Sequence, residues 1–275
     1  IAATAAIGSH SGAKQGGINH PLSAPVAPAY AALLDNPGSV YLSQGDSSCT
    51  DLPDGAVDLV ISDPPFFDNV HYSELADFFY YWLNQVLALA PATTTRSAAE
   101  VQDTDAARFT NKLTAVFAEC RRVLKDDGLF IFTYHHARQD GWVAVHRAIR
   151  HAGFACVRAY PIKAEMSVSM PLQQARSPIH LDLILVCRKE LAARRPIDEA
   201  AVLQRALATA TEQAAQLRNA AITLSLGDAR MVLMGQMLCA AHELRCLAAE
   251  EAFLERVAVD IEQCAAHVLT GREEV

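Results

Sequence analysis

The sequence predicts an α/β fold with a mostly parallel sheet, followed by a helical C-terminal region. Short apolar segments alternate with helical patterns between residues 40 and 190. Such a β-α-β-α series implies parallel strands with helices on both faces of the sheet. After residue 190 the composition shifts to Ala, Leu, Glu, Gln and Arg. Residues 197–270 carry no strand signal and predict two or three helices, with breaks at 226–228 and at Gly235.

Each element before residue 190 has its own signal. Alternating or apolar runs between turn residues predict strands, and apolar stripes at helical spacing predict helices. The predicted strands are 40–44, 57–62, 129–134, 155–160 and 181–186, and the predicted helices are 72–88, 105–124 and 141–152. No helical pattern separates the last two strands, which leaves an antiparallel pairing open. Gly128 is predicted to cap the second helix, and the aromatic run 78–82 in the first helix is predicted to be core.

These patterns divide the chain into three parts. Residues 1–37 are predicted to be a linker-like lead-in, because the Gly-, Ser-, Ala- and Pro-rich start has no periodicity. Residues 38–190 form the predicted α/β unit. Residues 191–275 form the predicted helical C-terminal extension.

Composition excludes several classes of protein. Hydrophobic residues make up 51% of the 275 residues, which is a globular composition. A net charge of −8 argues against a broad basic surface for nucleic acid. No apolar run reaches the roughly 18 residues of a membrane span, so no membrane partner is expected. The seven cysteines form no C-x-x-C pair, which predicts reduced thiols in a cytoplasmic protein and no metal site.

One segment carries a chemical signal. The apolar strand 57–62 delivers Asp63 to its C-terminal end, where ligands bind in open α/β sheets. Pro64 and Pro65 fix φ and remove two N–H donors, so the Asp63 carboxylate and the Pro64 carbonyl can both act as acceptors. Phe66 adds a stacking surface. This combination suits an amino group on a planar base, which must be flipped out if it lies in a duplex. The alternative is a plain turn at the sheet edge.

The same residues resemble a known family. The segment 62–66 is similar to the (D/N/S)-P-P-(Y/F/W) signature of amino-methyltransferases that use S-adenosylmethionine. The runs 63–79 and 122–129 resemble a narrower group, the large bacterial and archaeal adenine-specific DNA methylases with an extra N-terminal domain of unknown function. The resemblance covers roughly residues 38–190.

The resemblance implies a fold, a cofactor and residue roles. It implies a Rossmann-like methyltransferase sheet, S-adenosylmethionine as methyl donor and DNA adenine as substrate, in a setting of restriction–modification or phage defence. Asp63 and Pro64 would orient the target amine, Pro65 would hold the loop, and Phe66 would stack on the base. Phe66 departs from the Tyr most common in DNA adenine methylases. An RNA guanine or cytosine amino-methyltransferase therefore stays open.

Further residues are candidates by their position. Asp46 closes the first strand and would either accept from the cofactor's adenine amino group, as a residue does here in the family, or cap a turn. Asn69, His71 and Tyr72 follow the signature, and His135 ends the third strand. These four are expected to line the substrate site.

Two parts of a complete cofactor site are missing from the sequence. We find neither the glycine-rich turn of the form D-P-F-x-G-x-G nor the second acidic strand end that would bind the ribose. In the resembling proteins both lie upstream of the signature. Because the chain also begins without Met, we expect a C-terminal portion with an incomplete sheet, completed by a missing N-terminal part or by partner subunits. A non-catalytic, methyltransferase-like subunit is the third interpretation.

Overall fold

A computed structural model describes residues 24–36, 38–68, 70–87, 94–164, 178–190 and 198–270. Six strands and eight α-helices are found in these ranges. The strands are β1 (Val26–Ala27), β2 (Val40–Tyr41), β3 (Val57–Ser62), β4 (Leu124–Tyr134), β5 (Phe154–Lys163) and β6 (Leu181–Lys189). The helices are α1 (Ala31–Asp35), α2 (Tyr72–Leu87), α3 (Ala106–Val123), α4 (Gln139–His151), α5 (Glu199–Asn219), α6 (Leu226–Ala241), α7 (Leu247–Val259) and α8 (Ile261–Thr270). The predicted α/β class and the helical C-terminal region are confirmed, but the described part of that region contains four α-helices and not the two or three predicted.

A four-stranded sheet forms the centre of the molecule, in the order β3-β4-β6-β5. β3 and β4 are parallel, with Val60 opposite Phe130, whereas β6 runs antiparallel to both β4 and β5. The antiparallel pairing that the sequence left open is therefore present. The first predicted strand is shorter than expected. As β2 it pairs with β1 in a separate two-stranded sheet and not with β3.

Aromatic packing covers one face of this sheet. Phe130, Phe132 and Tyr134 alternate along β4 and are completely buried. Phe117 of α3 lies against the first two, with ring centroids 4.8 and 5.1 Å away. Trp142 of α4 contacts Tyr134 at 5.3 Å. α3 and α4 therefore lie on the same side of the sheet.

α6 packs on this face as well. Leu183 of β6 is opposite Tyr134, and a Cβ placed on Gly235 of α6 would lie only 2.7 Å from the Leu183 side chain. The predicted helix break at Gly235 is wrong, because the missing side chain lets the helix approach the strands while its backbone stays helical. α6 is the most deeply buried of the C-terminal helices.

The prediction of helices on both faces is wrong for the described residues. In the order β3-β4-β6-β5, the chain moves from β3 to β4 and then from β4 to β5 in the same direction along the sheet. When parallel strands are joined by right-handed crossovers that all move in one direction, the connecting helices lie on the same face of the sheet. On the other face Leu59 and Ile61 of β3 are 45% and 71% exposed.

Two local predictions on α2 and α3 also fail. α3 ends at Val123, and β4 starts at the next residue and continues through Gly128, so Gly128 is no helix cap. It lies in an irregular stretch of the ladder, where an added Cβ would approach the Asp58 carbonyl oxygen to 2.8 Å. In α2 four of the five aromatic side chains predicted to be core are exposed, among them Phe79 by 65% and Trp82 by 59%.

In the part of the chain that the structure describes, no helix is both long and apolar enough to cross a bilayer.

Candidate functional site

Asp63 lies where the sequence predicted, directly after the last residue of β3. Its side chain is exposed, and it accepts a hydrogen bond from the hydroxyl of Thr133 near the end of β4. The two groups meet because β3 and β4 are parallel, so both carboxyl ends lie at one edge of the sheet. The Thr133 hydroxyl therefore orients one carboxylate oxygen of a group that remains open to solvent.

The residues after Asp63 place an aromatic ring at the same edge of the sheet. Pro64 is buried and Pro65 is half-buried. The Phe66 ring makes T-shaped contacts with Tyr134 at 5.5 Å and with His135 at 4.7 Å between centroids. The ring is thus held by β4 and remains partly exposed.

The loop turns at Phe67 through an uncommon backbone conformation. Phe67 has φ of +53°, in the left-handed region that a non-glycine residue seldom adopts. Its side chain is buried against Phe109 and His136, with centroids 5.2 and 5.5 Å away. A conformation of this kind costs about 1–3 kcal/mol and persists where packing imposes it. The Phe67 anchor therefore fixes the loop that carries the acceptors.

Ion pairs of Asp68 hold the end of this loop, directly after Phe67. Asp68 accepts from Arg138 Nη2 at 2.8 Å and lies 3.2 Å from Nε2 of the buried His136. Partial burial alone would raise the pKa of Asp68, but the hydrogen bonds from Arg138 and His136 outweigh it and lower the pKa below its ordinary value. Asp68 is therefore a carboxylate that ties the loop to the segment after β4.

His135 has a carboxylate partner of its own. Its Nδ1 is hydrogen-bonded to Asp182 of β6, which fixes the ring orientation next to Phe66. Because β6 is antiparallel to β4, its first residues lie at the edge where β4 ends. The structure therefore brings His135 and Asp182 to the edge that carries Asp63.

Tyr72 also faces this edge, whereas His71 contacts its own helix. Burial, and secondly the nearby charge of Asp63, raise the pKa of Tyr72. His71 Nδ1 lies 3.5 Å from Glu74. The fourth predicted lining residue, Asn69, lies outside the described residues. The substrate-binding roles of all these residues stay predictions.

Asp46 lies in a local turn. Its carboxylate accepts from the backbone N–H of Ser48 at 2.8 Å and from the Ser48 hydroxyl at 2.7 Å. These bonds lower the pKa of Asp46. The turn follows β2, which is not a strand of the four-stranded sheet. The structure thus shows Asp46 capping a turn, which is one of its two predicted roles. The other role, binding the cofactor, remains a prediction.

A buried carboxylate holds the segment that leads into β3. Glu119 of α3 accepts from the N–H and the hydroxyl of Thr50 at 2.7 and 2.6 Å, and from Arg122 at 2.6 Å. Arg122 in turn donates to the Leu52 carbonyl at 2.8 Å. The hydrogen bond from Arg122 is the largest of the causes that lower the pKa of Glu119, from 4.5 to about 2.

Stability should therefore depend on the ionisation of Glu119. A carboxyl whose pKa is lower in the folded state stabilises the fold above its unfolded pKa and loses this contribution as the pH falls. We expect Glu119→Gln to lower the urea midpoint at neutral pH, with the difference from wild type vanishing between pH 4.5 and about pH 2. Glu255→Gln, at an exposed position of α7, is the control and should match wild type throughout. A deficit of Glu119→Gln that persists at the lowest pH would contradict this account.

The site suits amine binding better than metal binding. Among the described residues no cluster of three or more His, Cys, Asp or Glu side chains is arranged to hold a metal ion. An exposed carboxylate oriented by a hydroxyl, beside a partly exposed ring, can accept from an N–H donor on a planar group. The described residues beside Asp63 include no glycine-lined turn that would cradle the methionine part of S-adenosylmethionine. They therefore do not fit that cofactor by themselves.

Sequence reasoning missed several members of the site. These are Thr133, Asp182, Asp68 and Arg138. Two signals were available. Thr133 is the polar residue beside the last position of an otherwise apolar strand, and Asp182 interrupts the apolar pattern of β6. The partners themselves depend on strand order, which spacing along the chain does not encode.

Comparison with known proteins adds little. The chain matches no protein-family model and no curated protein. Among solved structures it is similar to a Thermus thermophilus protein provisionally assigned as a DNA modification methylase, at 16% sequence identity and a TM-score of 0.29. The likeness covers 68% of this chain and 83% of that one. A likeness this remote carries no argument about what the chain does.

Proposed function

We propose that this chain carries the amine-binding half of an S-adenosylmethionine-dependent methyltransferase. Its substrate would be the exocyclic amino group of a base, with adenine in DNA as the first candidate. The observation that carries the proposal is the exposed Asp63 carboxylate, held by Thr133 at the sheet edge beside the Phe66 ring. The resemblance of residues 62–66 to amino-methyltransferases supports the same assignment.

The chemistry follows from the donors and acceptors. An amino group on a base donates two hydrogens, which Asp63 and the Pro64 carbonyl would accept. Two accepted hydrogen bonds draw electron density toward the nitrogen and hold its lone pair in one direction. Phe66 would stack on the base once it leaves the duplex. S-adenosylmethionine would supply the methyl group. Because the described residues do not form its pocket, we assign none of them to holding it.

Cofactor binding is the first test. S-adenosylmethionine is titrated into the chain by calorimetry, with S-adenosylhomocysteine as a second ligand. Binding at micromolar concentrations would show that the chain can complete a donor pocket. Absence of binding would agree with a pocket that needs a further polypeptide, and would leave the amine-binding half to be tested with the base alone.

Methyl transfer is the second test and identifies the base. The chain is incubated with deuterated methyl donor and either duplex DNA or RNA, and the nucleosides are analysed by mass spectrometry after digestion. Label on adenine from DNA is the expected result. Label on guanine or cytosine from RNA would replace the substrate and keep the chemistry. A chain that binds S-adenosylmethionine and labels neither nucleic acid would contradict the proposal and favour a non-catalytic subunit.

A further inference from the structure

Two apolar surfaces of the described residues lack a partner. The first is the uncovered sheet face, here called the open face. Its members are linked by register, since Ile61 lies beside Ile131, Ile131 beside Val186, and Tyr160 beside Ile184. Ile61 is 71% exposed and Tyr160 49%. An apolar sheet face of this kind is normally covered by helices or a second sheet.

The second surface is α2. Because successive residues are spaced by about 100°, the apolar positions 75, 78, 79, 82, 83 and 86 fall on one wide face of the helix and the polar positions 73, 74, 77, 84 and 85 on the opposite side. A helix with such an apolar face normally packs this face against another element. Yet Ser73 is the only buried residue of α2 in the structure, and Phe79, Trp82 and Val86 are all more than half exposed.

The charges of α2 do not oppose burial. Its only charged residues are Glu74 and Asp77. Glu74 accepts from Arg96 at 2.8 Å, and Asp77 accepts from the hydroxyls of Thr94 and Thr95 at 2.6 Å. Both carboxylates thus accept hydrogen bonds from the segment that follows the helix, on one side of α2. The rest of the surface of α2 is apolar or neutral.

We propose that a second copy of this chain covers both surfaces. The open face lacks a covering helix, and the apolar face of α2 lacks a sheet to pack on. Two copies related by a two-fold axis cover both surfaces, because each copy supplies the layer that the other lacks. In such an isologous contact the α2 of each copy packs on the open face of the other. The two α2 helices then form one layer between the two sheets, which covers the apolar face of each helix.

The available area meets what a stable dimer needs. The three aromatics on the apolar face of α2, at positions 78, 79 and 82, are each about 60% exposed. An aromatic side chain has about 150–250 Å² to bury, so these three alone leave roughly 270–450 Å² uncovered. A standard interface buries about 800 Å² per partner. The open face and the aliphatic residues of α2 bring the total above that value.

The mass in solution tests the proposal. Light scattering after size exclusion, and sedimentation equilibrium over a concentration series, should give twice the chain mass of 29.7 kDa. The double variant Phe79→Glu/Trp82→Glu in α2 and the single variant Ile61→Glu on the open face should each give the monomer mass. Leu34→Glu is the matched control, because Leu34 is 72% exposed on α1 and belongs to neither surface. It should remain dimeric.

A cross-link distinguishes this dimer from others. A photoreactive phenylalanine analogue replaces Phe79 in unlabelled chain, which is mixed with ¹⁵N-labelled chain before illumination. The expected product joins position 79 of one isotope to a β3 or β4 peptide of the other. The changed side chains are exposed in the single chain, so far-UV circular dichroism should report unchanged folding for every variant.

Three results would overturn the proposal. A monomer at every concentration would mean that another kind of molecule, or none, covers these surfaces. A dimer that survives Ile61→Glu would place the interface elsewhere. Cross-links from position 79 only to α2 of the second copy would exclude the helix-on-sheet exchange. None of these measurements uses methyl transfer, so their outcome is independent of the proposed function.

Discussion

Replacing Asp63 with alanine is expected to reduce methyl transfer by at least about 100-fold, because removing a preorganised group at the reacting atoms commonly costs 10²–10³ in rate. Asp63 is exposed and accepts a hydrogen bond from the Thr133 hydroxyl at the surface of the sheet edge, so the change should leave the fold intact. The same variant should weaken capture of a flipped base. This is measured as loss of the fluorescence increase of a 2-aminopurine placed next to the target adenine in an oligonucleotide, a readout that requires no methyl donor.

Two further variants make the result specific. Thr133→Val keeps the size of the side chain and removes the hydroxyl that orients Asp63, so a smaller loss than in Asp63→Ala is expected. Asp58→Ala is the matched control, since Asp58 lies on the same strand and its exposed carboxylate pairs with Lys125 and not with the site. It should behave as wild type. Retained transfer and base capture in Asp63→Ala would refute the assignment of this carboxylate.

The second large effect is on stability and concerns the contact between α4 and α7. Glu250 of α7 is completely buried and accepts from His146 at 3.0 Å and from Arg150 at 2.9 Å, both on α4. Breaking a buried pair by removing one partner costs about 3–5 kcal/mol, because the remaining charge loses its compensation. We expect Glu250→Ala to lower the free energy of unfolding by about this amount in urea titrations.

An exposed ion pair of the same region provides the control. Glu262 of α8 pairs with Arg230 of α6 at 3.1 Å, and its side chain is 60% exposed. Exposed pairs contribute about 0–1 kcal/mol, so Glu262→Ala should be nearly neutral. Equal effects of the two variants would show that Glu250 is not the compensating charge. Because Glu250 joins α7 to a helix of the α/β unit, a single shared transition of both parts, shifted by the substitution, would show that the C-terminal helices and the sheet unfold together.

Much of the architecture could be predicted from the sequence. The four strands of the main sheet and helices α3 and α4 were predicted from apolar periodicity, and their ends differ by a few residues. Such patterns are local, because burial of one face of a strand or helix repeats at the period of that element. For the same reason the position of Asp63 after β3 was correct. A strand, two prolines and an aromatic ring are adjacent in the sequence.

Other features depended on the arrangement of elements in space. The aromatic run in α2 predicted a core helix, but burial requires a neighbour, and the described part of the chain leaves this helix uncovered. The irregular ladder at Gly128 and the close packing at Gly235 arise from a strand or carbonyl approaching from elsewhere in the chain. The periodicity of one segment cannot predict such an approach, because the approaching residues belong to another segment.

The sequence by itself determined the class of fold and the strand that leads to Asp63, and it predicted the kind of group that Asp63 to Phe66 would bind. The tertiary structure alone decided which partners meet there. Thr133 reaches Asp63, and Asp182 reaches His135, because β4 lies between β3 and β6 in the sheet. It also decided that all sheet-covering helices among the described residues lie on one face, since both crossovers proceed in one direction with one hand. The chemistry of a short segment depends on residues that are adjacent in the sequence. Strand order and the choice of covered face depend on packing between residues that are far apart in the chain.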